Sequence, residues 1–207
     1  MKNRMTARVT AASPHLSDAW PIPRSFFGRD AESVARAILG KLVVRTLGGE
    51  QLVGRITEVE AYLGLEDPAA HAFVGRTNRN AVLFGPPGFA YVYFIYGMHY
   101  CLNFSCEPEG QAGCVLIRAL EPVAGIQTMA RLRGVPATSK ATLLTGGPGK
   151  LCQALAITRA NCNSLDVTAP TSPLQVLDDG FTPKRIETTP RIGISKAQNR
   201  LLRFLVR

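Results

Sequence analysis

The sequence predicts an α+β fold in one compact domain, and three observations carry that expectation. Two pairs of β-favouring runs are each joined through a Gly-containing turn, residues 41–47 with 51–62 around Gly48-Gly49, and residues 91–104 folded about Gly97. Helical segments occur as separate, capped pieces at residues 31–39, 123–133 and after the Gly-rich stretch Thr145 to Lys150. A chain of 207 residues is long enough to bury a full core in a single domain. The organisation expected is an arm of residues 1–22 followed by one domain of residues 23–207.

The arm mixes Lys2, Arg4 and Arg8 with Pro14 and Pro21 and has no apolar period, so it is expected to be mobile and basic. Asp30 is placed to cap the helix of residues 31–39, and Gly40 to stop it. In the strand of residues 51–62 a period of two sets Ile56, Glu58, Glu60 and Tyr62 on one face, with Thr57, Val59 and Ala61 on the other. Residues 71–87 read as an irregular, polar surface loop. Its centre, Arg76-Thr77-Asn78-Arg79-Asn80, suits phosphate contact or plain solvation. Residues 113–120 form an apolar strand interrupted by Arg118, whose guanidinium needs either a structural ion pair or a functional site.

Residues 123–133 read as an amphipathic helix ended by Gly134. The stretch Thr145-Gly146-Gly147-Pro148-Gly149-Lys150-Leu151 resembles a phosphate loop. Leu144 and Leu151, however, stand where a Walker A motif needs Gly and Ser or Thr, which argues against nucleotide hydrolysis and leaves one phosphate at a helix N-terminus as a reading. Residues 174–177 and 202–206 are later strands, and Lys184, Arg185, Arg191, Lys196, Arg200 and Arg203 concentrate positive charge near the end.

Lys and Arg number 24 against 15 Asp and Glu, a formal net charge of +9, which fits a polyanionic partner or a merely basic protein. Five Cys without a Cys-x-x-Cys pair fit reduced, buried thiols and a cytoplasmic location. Three His, none spaced with a second ligand, predict no metal, and no apolar run or leader predicts insertion or secretion.

Glu58 and Glu60 lie two apart on one strand, about 6.6–7 Å along the chain, a spacing compatible with paired carboxylates acting on a glycosidic bond and equally with exposed alternation. The Tyr-rich hairpin fits core packing or base stacking. Basic charge, rigid carboxylates, clustered Tyr and the isolated His71 in combination suit an enzyme that extracts a base from DNA. Two other readings are a non-catalytic DNA-damage-binding module and a sugar-directed glycosidase using Glu58 and Glu60.

Four motifs carry a resemblance. Glu58-Val59-Glu60-Ala61-Tyr62-Leu63-Gly64 with Glu66-Asp67 and Ala69-Ala70-His71, Tyr91-Val92-Tyr93-Phe94-Ile95-Tyr96-Gly97-Met98, Arg118-Ala119-Leu120-Glu121-Pro122, and Gly147-Pro148-Gly149-Lys150-Leu151-Cys152-Gln153-Ala154-Leu155 occur in order. From about residue 25 onward the chain resembles the alkyladenine (3-methyladenine) DNA glycosylases of bacteria. The resemblance implies a curved antiparallel sheet, flanking helices and a protruding hairpin that inserts into DNA. It implies a cofactor-free monomer that flips 3-methyladenine, 7-methylguanine or hypoxanthine from double-stranded DNA and hydrolyses the N-glycosidic bond, without strand cleavage.

By the same resemblance Glu60 is the general base, Arg118 holds it and its water, and the Ile192 carbonyl completes the water's coordination. Tyr62 and Tyr93 stack on the flipped base, His71 hydrogen-bonds near it and Asn103 disfavours normal guanine. Tyr96 fills the vacated stack, and Arg76, Thr77 and Arg79 lie near phosphates. His99 near the hairpin tip and a short loop at residues 77–80 depart from some relatives.

Overall fold

A computed structural model of the chain describes residues 18–207; residues 1–17, most of the expected basic arm, lie outside the described residues. Nine strands form one antiparallel sheet: β1 (Trp20–Pro21), β2 (Leu42–Leu47), β3 (Glu50–Tyr62), β4 (Ala90–Ile95), β5 (His99–Cys106), β6 (Gly113–Ala124), β7 (Leu174–Asp178), β8 (Ile186–Thr189) and β9 (Arg203–Val206). Their order is β1-β7-β2-β3-β6-β5-β4, with β9 paired to both β3 and β8. Six helices accompany them: α1 (Arg24–Phe27), α2 (Ala31–Ile38), α3 (Ile126–Arg133), α4 (Ala141–Leu144), α5 (Pro148–Ala154) and α6 (Arg159–Cys162).

Local chemistry explains several of these boundaries. Asp30 caps α2 by accepting the Ser33 N–H at 2.8 Å, and Gly40 at φ +86° turns the chain into β2. Gly48 and Gly49, both at positive φ, close the β2–β3 hairpin in a two-residue turn whose twist matches the strands. All five cysteines are free and buried.

The structure differs from the sequence reading at four places. The first concerns the end of the expected arm, where Trp20 and Pro21 pair with β7 and Ile22 is buried, because its apolar side chain completes the core. Next, Val123 and Ala124 extend β6 rather than opening α3, since Ala124 is paired with Val53 and Gly125 in a left-handed conformation starts the helix afterwards. Residues 71–87 are less irregular than expected: His71–Val74 and Ala81–Phe84 are 3-10 turns whose Ala72 and Leu83 enter a small apolar cluster with Tyr91 and Cys114.

The fourth difference matters most. Pairing of β3 with β6 slips on both sides of Glu58, so Thr57 and Arg118 bulge from their strands. Ile56 therefore falls in the main core with Val59 and Ala61, not on the face of Glu60 and Tyr62. One bulge reverses the parity of everything after it. The strand also changes partners: its first half pairs with β2, and residues 58–60 lie between β6 and β9.

Candidate active site

The register of five antiparallel strands gathers residues distant in sequence into one row. Arg203 on β9 is opposite Glu60 on β3, Glu60 opposite Leu116 on β6, Leu116 opposite Asn103 on β5, and Asn103 opposite Tyr91 on β4. Two residues further along, Tyr62 faces Cys114 and Tyr93 faces Cys101. Cross-strand partners lie within side-chain reach. Tyr62, Tyr91, Tyr93, Asn103 and Leu116 accordingly line one cavity of about 770 Å³, together with His71, Arg79, Arg118 and Ile192. That volume lies in the usual range for small-molecule sites, about 300–1,000 Å³.

Glu60 is fully buried and sits just behind the wall formed by Tyr62, Arg118 and Ile192. Its Oε1 accepts the Ile192 N–H at 2.8 Å and lies 3.1 Å from Arg118 Nη1. Oε2 accepts the Tyr62 hydroxyl at 2.9 Å. Three donors replace the water a buried carboxylate loses. Burial, then the negative charge of Glu60, drive the Tyr62 phenol far above its ordinary pKa, so it remains a donor. Ile192 reaches Glu60 through its backbone N–H, a contact beyond the role expected for its carbonyl at the water.

Arg118 spans both carboxylates, its Nε donating to Glu58 Oε1 at 2.8 Å. The same oxygen accepts Arg203 Nε at 2.6 Å. Burial raises the Glu58 pKa, but hydrogen bonds from Arg203 and Arg118 outweigh it and hold the carboxyl below its ordinary value. A proton donor to a leaving group needs the opposite shift, which argues against Glu58 as the acid of a sugar hydrolase. The bulge at Glu58 and Arg118 aims these groups; an unbroken ladder would not.

The Ile192 backbone is held by a pair the sequence reading did not single out as functional. Arg191 and Asp67 form a wholly buried salt bridge, with Nη2 at 2.8 Å from Oδ1 and Nη1 bonded to Oδ2. Nη1 also donates to the Ala61 carbonyl at 3.0 Å, and the guanidinium lies 4.6 Å from the Tyr62 ring centroid. Asp67 sits inside a motif that was noticed, but nothing local joins it to a residue 124 positions away.

His71, Tyr91 and Tyr93 form an aromatic cluster on the opposite wall. His71 Nδ1 is 2.9 Å from the Tyr91 hydroxyl, and its ring meets Tyr93 edge-on at 4.5 Å. Burial, then the positive charge of Arg79, press the His71 pKa below its ordinary value, favouring neutral imidazole. Burial lifts the Tyr91 phenol to about 12 against the pull of Arg79. Asn103 is oriented by donating Nδ2 to the Tyr91 carbonyl at 3.1 Å.

Above the cavity the β4–β5 hairpin ends in Tyr96, Gly97 and Met98. Tyr96 is 76 % exposed and strained at φ +54°, and Met98 is 69 % exposed. Residues 25–207 match the family model described as Methylpurine-DNA glycosylase (MPG). Proteins named "Putative 3-methyladenine DNA glycosylase" from Koribacter versatilis and Rhodopseudomonas palustris are similar. The first is 53% identical over 191 residues, 92% of each chain, and the second 47% over 200 residues, 97% of this chain and 93% of the relative. A protein of the same name from Methanocella arvoryzae is 47% identical over 182 residues, 88% of each chain.

The chain belongs to the methylpurine-DNA glycosylase family. It is a DNA glycosylase, an enzyme whose partner is DNA. In this glycosylase the expected site residues are gathered unevenly. Glu60, Arg118, Ile192, Tyr62, His71, Tyr93 and Asn103 converge on the cavity wall or directly behind it, and Tyr96 stands at its mouth. Thr77 and Arg79 reach the wall, while Arg76 is exposed outside it. In the Gly-rich stretch Lys150 Nζ donates to the Thr142 carbonyl at 3.0 Å, a Cβ on Gly149 would come within 2.9 Å of the His99 ring, and Pro148 and Gly149 line the cavity. Among the described residues no group of three or more His, Cys, Asp or Glu is arranged to hold a metal, and no helix is long and apolar enough to cross a membrane.

Proposed function

We propose that the enzyme flips 3-methyladenine, 7-methylguanine and hypoxanthine out of duplex DNA and hydrolyses the N-glycosidic bond, with Glu60 activating the attacking water. The observation that carries this reading is one buried carboxylate, aimed by three donors, directly behind an aromatic cavity that opens beneath an exposed Tyr hairpin. The relatives' printed names support the first of the three bases.

In this reading Tyr62 and Tyr93 stack on the flipped base, which offsets part of the few kcal/mol that unstacking costs. Tyr96 enters the gap left in the duplex. Water takes the place of the Tyr62 hydroxyl at Glu60, whose negative charge also favours an oxocarbenium-like transition state. His71 and Asn103 supply polar contacts to the purine edge. Arg76 and Thr77, in the loop of residues 75–80, lie toward phosphates. Water is the only co-reactant, and the enzyme acts as a cytoplasmic monomer whose folded domain includes Trp20, Pro21 and Ile22 together with residues 23–207.

Lys196 lines the cavity with its Nζ 5.8 Å from the Phe73 ring and forms no hydrogen bond or ion pair with Glu60 among the described residues, which supports a monofunctional hydrolase. Borohydride should therefore trap no covalent adduct with DNA. The decisive assay is single-turnover release of free base from duplexes carrying one hypoxanthine or from methylated DNA, by the parent and by Glu60→Gln. Release by the parent alone supports the reading, and tight lesion binding without release by either protein points to a binding module.

A further inference from the structure

We propose that Arg79 selects among damaged bases: its guanidinium places a positive charge at the purine end of the cavity, favouring release of neutral purines over purines already made cationic by alkylation. The proposal rests on the glycosylase reading above and deepens it.

Placement comes first. Arg79 belongs to a loop expected to lie near phosphates, yet it lines the cavity, with its guanidinium carbon 5.6 Å from the Tyr93 ring centroid. Its neighbour Asn80 is buried and ties the loop down: Nδ2 donates to the carbonyls of His71 and Gly75, both at 2.9 Å, and Oδ1 accepts the Thr77 N–H at 2.6 Å. The residue next to the one that carries the charge is thus fastened to the backbone of His71. Arg79 and Arg76 are both exposed, but only Arg79 lines the cavity.

Charge balance comes second. Arg118, Arg191 and Arg203 are each paired with a carboxylate. Arg79 makes no such pair among the described residues, and its neighbours are aromatic. Its field is felt at both His71 and Tyr91, where it shifts titration in the direction a nearby cation must.

The chemistry turns on where the electron pair goes. When C1′–N9 breaks, its electrons stay with the purine, the water oxygen bonds to C1′, and the water's proton passes to Glu60. A neutral purine leaves as an anion that then takes a proton from solvent, whereas an N-alkylated cation leaves neutral. A fixed positive charge beside the base stabilises the first departure and opposes binding of the second. Both bases gain the same negative charge as they leave, so the selection appears in kcat/KM, which includes seating of the flipped base; at about 6–8 Å from an exposed guanidinium one unit charge alters that ratio by roughly three- to fiftyfold.

The test is single-turnover release of hypoxanthine and of 7-methylguanine by the parent, Arg79→Gln and Arg79→Lys. Expected, with enzyme and DNA below saturation so that kcat/KM is read, is a fall of about tenfold in the hypoxanthine to 7-methylguanine ratio for Arg79→Gln, largely restored by Arg79→Lys, with the salt dependence of DNA binding unchanged. An unchanged ratio overturns the proposal. So does an equal loss on both substrates accompanied by a salt slope reduced by about one, the mark of a phosphate contact. Absence of release by the parent from either duplex sinks the glycosylase reading itself, and the proposal with it.

Discussion

Two stretches face the same cavity and are built in opposite ways. The second half of β3 carries Glu58, Glu60 and Tyr62; both carboxylates have partners from distant parts of the chain, Arg118, Arg203 or the Ile192 N–H, and the Tyr62 hydroxyl donates to Glu60. The turn between β4 and β5 carries Tyr96 and Met98, large apolar side chains left in solvent, one of them at positive φ. A carboxylate asked to act on one atom has to be held still. A side chain asked to enter another molecule has to remain uncovered until that molecule arrives. Rigid and satisfied on one wall, exposed and unsatisfied at the mouth, the site divides chemistry from recognition.

This contrast can be broken by mutation, beginning with the largest effect. Glu60→Gln should lower single-turnover base release by about a thousandfold while lesion binding persists, because only the proton acceptor is lost. Retained release would remove Glu60 from the chemistry. Asp67→Ala leaves the Arg191 charge buried and unpaired, so urea unfolding should report a loss of about 3–5 kcal/mol. An unchanged midpoint would mean that the Ile192 segment is held some other way.

At the mouth the expectation reverses. Tyr96→Ala should lower base release about tenfold or more, in line with roughly 1–3 kcal/mol of stacking, with no loss of thermal stability. A drop in melting temperature would show instead that Tyr96 packs within the fold. Glu58→Gln should slow base release about tenfold by loosening Arg118, well short of the Glu60→Gln loss. Equal losses would make Glu58 a second catalyst.

The smallest effect is a pH dependence. His71 has its folded pKa lowered below an unfolded value near 6.5, so between those two values the unfolded chain binds more protons and stability rises with pH. The contribution is complete above about pH 6.5 and shrinks as pH falls toward the folded pKa. His71→Gln should flatten that limb of the urea midpoint against pH, and a parallel profile would contradict the assignment.

Much of this architecture was legible beforehand because its signals are local. Asp30 as a cap, Gly48-Gly49 as a hairpin turn and Gly134 as a helix stop rest on neighbouring atoms, and each stands where it was expected. Strand period placed Glu60 with Tyr62 correctly and Ile56 wrongly, because a bulge leaves no composition signal and Ile56 follows the core. Buried Asp67 and Arg191 each look like ordinary surface charges in the sequence, and so does Arg79, which reaches the cavity only because Asn80 ties its loop to His71.

The sequence by itself determined the elements, the family and the identity of the chemical groups, since those follow from residue type, short-range spacing and motif order. Tertiary structure alone decided which groups touch. It sealed Glu60 behind Tyr62, made Arg118 the bridge between two carboxylates and turned the Ile192 N–H toward the site. The physical reason is that, apart from the bond between Tyr62 and Glu60, these contacts join residues 58 to 132 positions apart through sheet register, two bulges and a buried ion pair. Their energies depend on burial and geometry that exist only once the chain has folded.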